Sequence, residues 1–164
     1  MTIGFSDSPE PSDGPSPGEP TAEAERDLVA LTMPADGVPE VTVTERDLAH
    51  AVDALAAGTG PVAIDAERAS GYRYGQRAYL VQLRREGSGT WLIDPIACPD
   101  LTPLGDVLSD VEWILHAATQ DLPCLAEVGM RPTRLFDTEL GGRRVGLPRG
   151  GLAAAVEHSR ALTL

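Results

Sequence analysis

The amino-acid sequence predicts a mixed α/β sheet flanked by helices. Two runs of strand-forming residues, over 78–83 and 90–93, are separated by a Gly-Ser-Gly turn, which is typical of a β-hairpin. After this hairpin, apolar strands alternate with segments of helical periodicity, which is typical of parallel strands connected by helices. A sheet with both kinds of connection is mixed, and helices on its two faces bury the apolar side chains of its strands.

The first regular elements lie between residues 41 and 65. The β-branched run 41–43 predicts a short strand. Thr44 is a suitable N-cap for the helix that follows, and Gly58 is a suitable end for it. Apolar residues occur between them at helical spacing, at positions 48, 51, 52 and 55. The next apolar run, over 61–65, predicts a buried strand.

The rest of the chain continues the alternation. After the hairpin the pattern predicts a helix, a strand, a helix ended by Gly129, a strand and another helix, over 101–108, 113–116, 122–128, 134–136 and from Thr138 onward. A further helix is expected from Gly150 onward.

The N-terminal region differs in composition from the rest of the chain. Five of the first twenty residues are proline, and residues 1–40 hold nine acidic side chains and one arginine, a charge of −8. A segment of this kind cannot bury enough apolar surface to fold. We therefore expect a disordered acidic Pro/Ser/Gly-rich tail over 1–37 and a single domain over 38–164.

Composition also bears on location and on partners. No apolar run reaches the roughly 18 residues of a membrane-spanning helix, and the N-terminus lacks the features of a signal peptide, so we expect a cytoplasmic protein without membrane association. Cys98 and Cys124 match neither a zinc spacing nor a disulfide framework. The net charge of −12 argues against nucleic acid as a partner, but residues 41–164 carry only −4.

A pair of carboxylates at the end of strand 61–65 is the most informative feature of the sequence. Asp65 and Glu67 are two positions apart, and residues i and i+2 of a strand point to the same face. Adjacent carboxylates repel each other unless a cation lies between them, and Mg²⁺ and Mn²⁺ prefer carboxylate oxygens. The pair therefore indicates a metal site, although two solvated acids at an exposed strand end are the alternative.

A third carboxylate follows the strand over 113–116. Asp121 lies at the start of the next helix, where a negative charge also simply favours the helix N-terminus. Strand ends are common locations of functional sites in α/β folds. Asp121 is therefore a candidate to share one site with Asp65 and Glu67.

Five segments together resemble the ribonuclease D family. They occur in the order and at the approximate spacing of that family, and they are Ala63–Glu67, Tyr79–Leu83, Leu92–Pro95, Leu115–Leu122 and Leu135–Leu140. The resemblance covers residues 38–157. It implies a ribonuclease H-like fold and a 3′–5′ exonuclease site of the four-carboxylate type.

The resemblance also implies roles for individual residues. Asp65, Glu67 and Asp121 match catalytic metal ligands, which implies two divalent ions, Mg²⁺ or Mn²⁺, and hydrolysis of phosphodiester bonds at RNA 3′ ends. Asp137 matches a position near the site that is not counted as a ligand. Arg68 departs from the family pattern, because many relatives carry an aromatic residue there.

Three further side chains are candidates for contacts with substrate. Arg73 and Arg77 follow the acidic pair and offer planar donors to phosphate, although ordinary solvated arginines fit the same positions. His116 either contacts substrate or lies buried at the end of its strand. The sequence identifies no protein partner.

The third motif of the family, Tyr-x-x-x-Asp, does not occur in the 164 residues, because none of the three tyrosines has the spacing and no aspartate follows Asp137. We therefore expect a C-terminally incomplete domain, from a truncated or frameshifted gene, with reduced stability and an exposed apolar patch near residues 138–157.

The predicted function is that of a 3′–5′ exoribonuclease in tRNA processing or RNA decay. The alternatives are a catalytically crippled nucleic-acid-binding fragment and a nonfunctional, poorly folded fragment. The carboxylates alone do not distinguish RNA from DNA, and only the family resemblance favours RNA.

Overall fold

The computed structural model describes residues 29–30, 34, 36–68, 77–147, 151–153, 156 and 162–163. The predicted disordered tail lies almost entirely outside these residues, as does Arg73. The helix expected from Gly150 is described in part, and residues 152, 153 and 156 are helical.

A six-stranded mixed sheet forms the centre of the molecule, as predicted. A separate pair of two-residue strands, β1 (Val29–Ala30) and β8 (Leu162–Thr163), is parallel and was not predicted. The six strands of the main sheet are β2 (Val41–Thr42), β3 (Thr59–Arg68), β4 (Ala78–Glu86), β5 (Gly89–Ile93), β6 (Glu112–Leu115) and β7 (Arg134–Asp137). Their spatial order is β2-β5-β4-β3-β6-β7.

Strand directions follow the connections that the sequence predicts. β3, β4 and β5 are antiparallel neighbours, whereas β3, β6 and β7 run parallel, and β2 is parallel to β5. β3 extends through Arg68, beyond the predicted end at Asp65. Its acidic residues still pair with β4 because backbone hydrogen bonding does not depend on side-chain polarity, and the exposed face of the strand tolerates charge.

Four α-helices lie where the periodicity predicts them. They are α1 (Glu45–Ala57), α2 (Thr102–Val107), α3 (Leu122–Glu127) and α4 (Thr138–Arg144). Thr44 caps α1, since its side chain accepts a hydrogen bond from the backbone N–H of Asp47 at 3.1 Å. A short 3₁₀ helix, Ala118–Gln120, was not predicted because three residues carry no periodic signal.

The apolar core lies between one face of the sheet and helices α1 to α3. Alternate residues of β3, namely Val62, Ile64 and Ala66, are buried in it, together with Leu48, Leu55, Leu104, Trp113 and Leu125. The intervening residues of β3 are exposed on the opposite face. This alternation determines which side chains of β3 lie on the exposed face of the sheet.

Two remaining expectations concern the membrane and the cysteines. No helix in the part of the chain that the structure describes is long and apolar enough to cross a bilayer. Cys98 and Cys124 are buried and unbridged, as predicted for two small apolar side chains.

Candidate active site

Asp65 and Glu67 lie on the same exposed face of β3, as their spacing predicts. Asp65 is opposite Gln82 of β4, whose side-chain amide donates a hydrogen bond to Asp65 Oδ2 at 3.2 Å. This contact restricts the rotation of the Asp65 carboxylate. The two carboxylates stand near the carboxyl end of β3, at the edge of the sheet where parallel strand β6 also ends.

Asp121 approaches this edge from the other side. After β6 the chain turns through Ala117, which has a left-handed φ of 54°, and through the 3₁₀ helix to reach Asp121. Asp121 is only 6% exposed and directly precedes α3, but its side chain makes no capping hydrogen bond to that helix. Helix capping therefore does not explain this carboxylate.

The three carboxylates interact electrostatically. Burial raises the pKa of Asp121, and the negative charges of Asp65 and Glu67 raise it further, while the positive charge of Arg68 partly offsets them. The three side chains therefore lie within range of one another's charges. The structure thus places Asp65 and Glu67 near the end of β3 and Asp121 at the start of α3, at the same edge of the sheet.

Among the described residues, Arg68, the last residue of β3, is the cation that forms an ion pair with Asp121. Its Nε lies 3.7 Å from Asp121 Oδ1, and its Nη2 donates to Gln120 Oε1 at 3.4 Å. The pairing of β3 with β4 is irregular between Glu67 and Arg68. Sequence reasoning noted Arg68 only as a departure from the family pattern, because its partner lies 53 positions away.

The carboxylates do not form a ready-made ligand set. Among the described residues, no three His, Cys, Asp or Glu side chains converge closely enough to hold a metal ion. The chemistry of the donors nevertheless fits a divalent ion, since two exposed carboxylates and one buried carboxylate repel one another and a dication relieves that repulsion.

Asp137, at the end of β7, holds the loop that carries Asp121. Its carboxylate accepts hydrogen bonds from the backbone N–H groups of Ala117 and Ala118, at 3.2 and 3.0 Å. It also caps α4 by accepting from Glu139 and Leu140. Burial raises the pKa of Asp137, but these four backbone hydrogen bonds outweigh burial and lower it.

Sequence reasoning did not assign this role to Asp137. Its only signal was the position of the residue within one of the five family-like segments. The hydrogen bonds join residues 19 and 20 positions apart, which no local pattern reveals.

Among the described residues, the two other candidates, His116 and Arg77, form no hydrogen bond or ion pair with these carboxylates. His116 is half-buried, and its Nδ1 lies 2.9 Å from the hydroxyl of Thr138. Arg77 is exposed immediately before β4, next to the residue that pairs with Arg68. A groove of about 340 Å³ runs along the open face of the sheet beside Asp65, and it is lined by Gln82, Ile114, His116, Thr138 and Leu152 among others.

Residues 39–162 match the 3′–5′ exonuclease family, and the chain belongs to that family. The predicted relationship to ribonuclease D and the predicted fold class are both confirmed by the relatives that follow.

A solved structure of a protein from Bifidobacterium adolescentis is 45% identical, with a TM-score of 0.80 over 84% of this chain. Ribonuclease D from Escherichia coli is 32% identical over 129 residues. Its solved structure, described as an exoribonuclease involved in structured RNA processing, superposes with a TM-score of 0.69 over 77% of this chain. NrnC of Brucella melitensis, solved with bound Mg²⁺, shares the fold at 23% identity over 65% of this chain and 56% of its own, with a TM-score of 0.53.

The chain spans between 20% and 34% of the length of the curated relatives it matches. It covers 34% of the Escherichia coli ribonuclease D and 34% of the Bifidobacterium adolescentis protein. The activities of those longer proteins are therefore attributed to this chain only as a proposal.

Proposed function

We propose that this chain is the catalytic part of a 3′–5′ exoribonuclease, in which Asp65, Glu67 and Asp121 bind divalent metal ions. The observation that carries the proposal is the buried carboxylate of Asp121, whose pKa is raised by burial and by the charges of Asp65 and Glu67. A buried carboxylate that is repelled by two neighbouring carboxylates costs stability, and such costs are characteristic of functional sites.

Each residue near the site has a definite task in this proposal. Gln82 orients Asp65, and Asp137 holds the loop that presents Asp121. Two divalent ions, when bound, supply an activated water molecule and stabilise the leaving 3′ oxygen. Arg77 and Arg73 are proposed to contact the phosphates of the substrate, and His116 is proposed to contact its 3′ end from the groove beside Asp65.

RNA is the proposed substrate because three curated relatives above 30% identity are named ribonuclease D, and the solved structure of the one from Escherichia coli is described as an exoribonuclease. Precursors of tRNA are the proposed RNA class. A cytoplasmic location accompanies this proposal, as expected from the composition of the sequence.

A second function is favoured by a different observation. Asp121 is paired with Arg68, and no three candidate ligands converge among the described residues. A chain with this arrangement could bind RNA without cleaving it. The two functions differ in their dependence on metal, since binding through arginines depends on salt and not on Mn²⁺.

The decisive experiment follows the shortening of a 5′-labelled RNA with and without Mn²⁺. We expect a ladder of products that depends on Mn²⁺ and that the Asp65→Asn variant loses by about a hundredfold or more. Asp53→Asn is the matched control, because Asp53 is an exposed aspartate on α1.

The outcomes separate the candidates. Salt-sensitive binding of the RNA without any Mn²⁺-dependent shortening supports the second function. Equal activity of wild type and Asp65→Asn contradicts the proposed site. A single-stranded DNA of the same sequence tests the choice of RNA, since cleavage of DNA at the same rate contradicts it.

A further inference from the structure

Arg68 makes an unusual contact for a residue that ends a strand. Its side chain is 31% exposed, yet its Nε faces the side chain of Asp121, which is only 8% exposed, at 3.7 Å. A guanidinium of permanent charge thus stands beside the most buried carboxylate of the candidate site.

Arg68 acts on Asp121 mainly through its positive charge and does not fix the position of the Asp121 side chain. Its two distances, 3.7 Å to Asp121 and 3.4 Å to Gln120, are longer than the two parallel hydrogen bonds of about 2.8 Å that lock a guanidinium to a carboxylate. The backbone of Asp121 is fixed by other groups, since its carbonyl accepts from Leu125 N at 3.0 Å and from Cys124 Sγ at 3.0 Å.

The charge of Arg68 matters because of what surrounds Asp121. The carboxylate is only 6% exposed and is paired with Arg68, and a nearby cation offsets the cost of burying its negative charge. Arg68 supplies one from within the chain. A divalent ion that binds the same carboxylate supplies another, and the two cations repel each other.

We propose that Arg68 competes with a divalent metal ion for the carboxylate of Asp121 and thereby weakens metal binding at the candidate site. The inference rests on the proposed function, in which that site binds metal. Because the guanidinium is partly exposed, it can leave Asp121 for solvent when the metal enters, at the cost of its ion pair.

The test is a calorimetric titration of the full chain with Mn²⁺. We expect Arg68→Gln to bind Mn²⁺ about fivefold more tightly than wild type, the upper end of what exposed ion pairs contribute, because Asp121 is buried. Arg68→Lys keeps the charge and should stay within about twofold of wild type.

Arg134→Gln is the matched control. Arg134 lies in β7, 64% exposed and 4.0 Å from Glu112 of β6, so the substitution removes one arginine from an ion pair at the opposite ends of the parallel strands. Salt screens the interaction between an exposed charge at that end of the strands and the candidate site, and we expect the affinity for Mn²⁺ to be unchanged. Circular dichroism of each variant checks its fold, and Arg68→Met, which keeps the aliphatic stem, replaces Arg68→Gln if the latter unfolds.

The outcomes distinguish this inference from the proposed function. If the Asp65→Asn variant loses the Mn²⁺ binding of wild type but Arg68→Gln binds Mn²⁺ no more tightly, competition is overturned and the metal site stands. Weaker binding by Arg68→Gln also overturns it, because the arginine would then position Asp121. If no variant binds Mn²⁺ in a manner sensitive to Asp65→Asn, the metal site itself fails and the inference fails with it.

Discussion

Two aspartates near the site have pKa values that are shifted in opposite directions. Asp137 accepts four backbone hydrogen bonds, which lower its pKa against the effect of burial, so its ionised form stabilises the fold. Asp121 has a raised pKa, chiefly because it is buried and then because Asp65 lies close by. Ionised Asp121 therefore destabilises the folded state, whereas ionised Asp137 stabilises it.

The Asp121→Asn variant should be more stable than wild type at pH 7, by on the order of 1 kcal/mol, because it removes the cost of a buried charge. An acid whose pKa is raised by folding binds protons more tightly in the folded state, so the cost is absent below its unfolded pKa. It appears as the pH rises through the window between the unfolded pKa and the raised folded pKa. The gain of the variant should therefore disappear as the pH falls to the ordinary aspartate pKa of about 3.9.

Urea unfolding of both proteins at several pH values measures this difference. The contribution of Asp137 has the opposite sign, since it is present above the unfolded pKa and is lost as the pH falls through the lowered folded pKa. It is common to both proteins and cancels in the comparison. A variant less stable than wild type at pH 7 would show that the pair with Arg68 outweighs the repulsion.

At the scale of elements, local patterns predicted most of the fold. The cap at Thr44, the periodic apolar residues of α1 and the hairpin turn are signals between neighbours in sequence, and each element appears where they place it. The joint location of Asp65, Glu67 and Asp121 followed from strand ends. Two features could not be predicted from the sequence: the hydrogen bonds from the backbone of residues 117 and 118 to Asp137, and the ion pair of Arg68 with Asp121. Both depend on side chains that only the tertiary fold brings together.

The junction of α2 and α3 is an element-scale feature with a sharp steric requirement. Gly129 ends α3 with a φ of +90°, and a Cβ there would collide with the side chain of Thr102 and lie 3.0 Å from its backbone nitrogen. Gly129→Ala should therefore cost about 3–4 kcal/mol, since left-handed strain and overpacking add. Chemical denaturation gives this value.

Gly89 provides the control for this substitution. It has a φ of +80° at the start of β5, but a Cβ there meets nothing within 4 Å. Gly89→Ala should cost only the strain, about 1–2 kcal/mol. Equal losses at the two positions would mean that α2 and α3 move apart without cost, which contradicts a tightly packed junction.

At the scale of the whole molecule, the two faces of the sheet differ. One face is buried by α1, α2 and α3, whereas the other carries Asp65, Glu67 and the open groove. The expectation of exposed apolar side chains toward the C-terminal part is met in the described residues. Several lie there, and we call them the C-terminal apolar surface: Phe136, Leu140, Val145 and Leu152.

This surface should make the chain self-associate as its concentration rises. Leu140 is 55% exposed and Val145 is 78% exposed, and association removes such apolar surface from water at about 25 cal/mol per Å². The double variant Leu140→Gln and Val145→Gln should shift the association to concentrations about tenfold higher or more, as measured by sedimentation equilibrium. Val38→Gln is the control, because Val38 is 69% exposed far away in sequence, before the first strand of the main sheet. If the control reduces association as strongly as the double variant, the C-terminal apolar surface is not the contact between copies. If wild type stays monomeric at high concentration, this surface is too small or too polar at its margins to drive association.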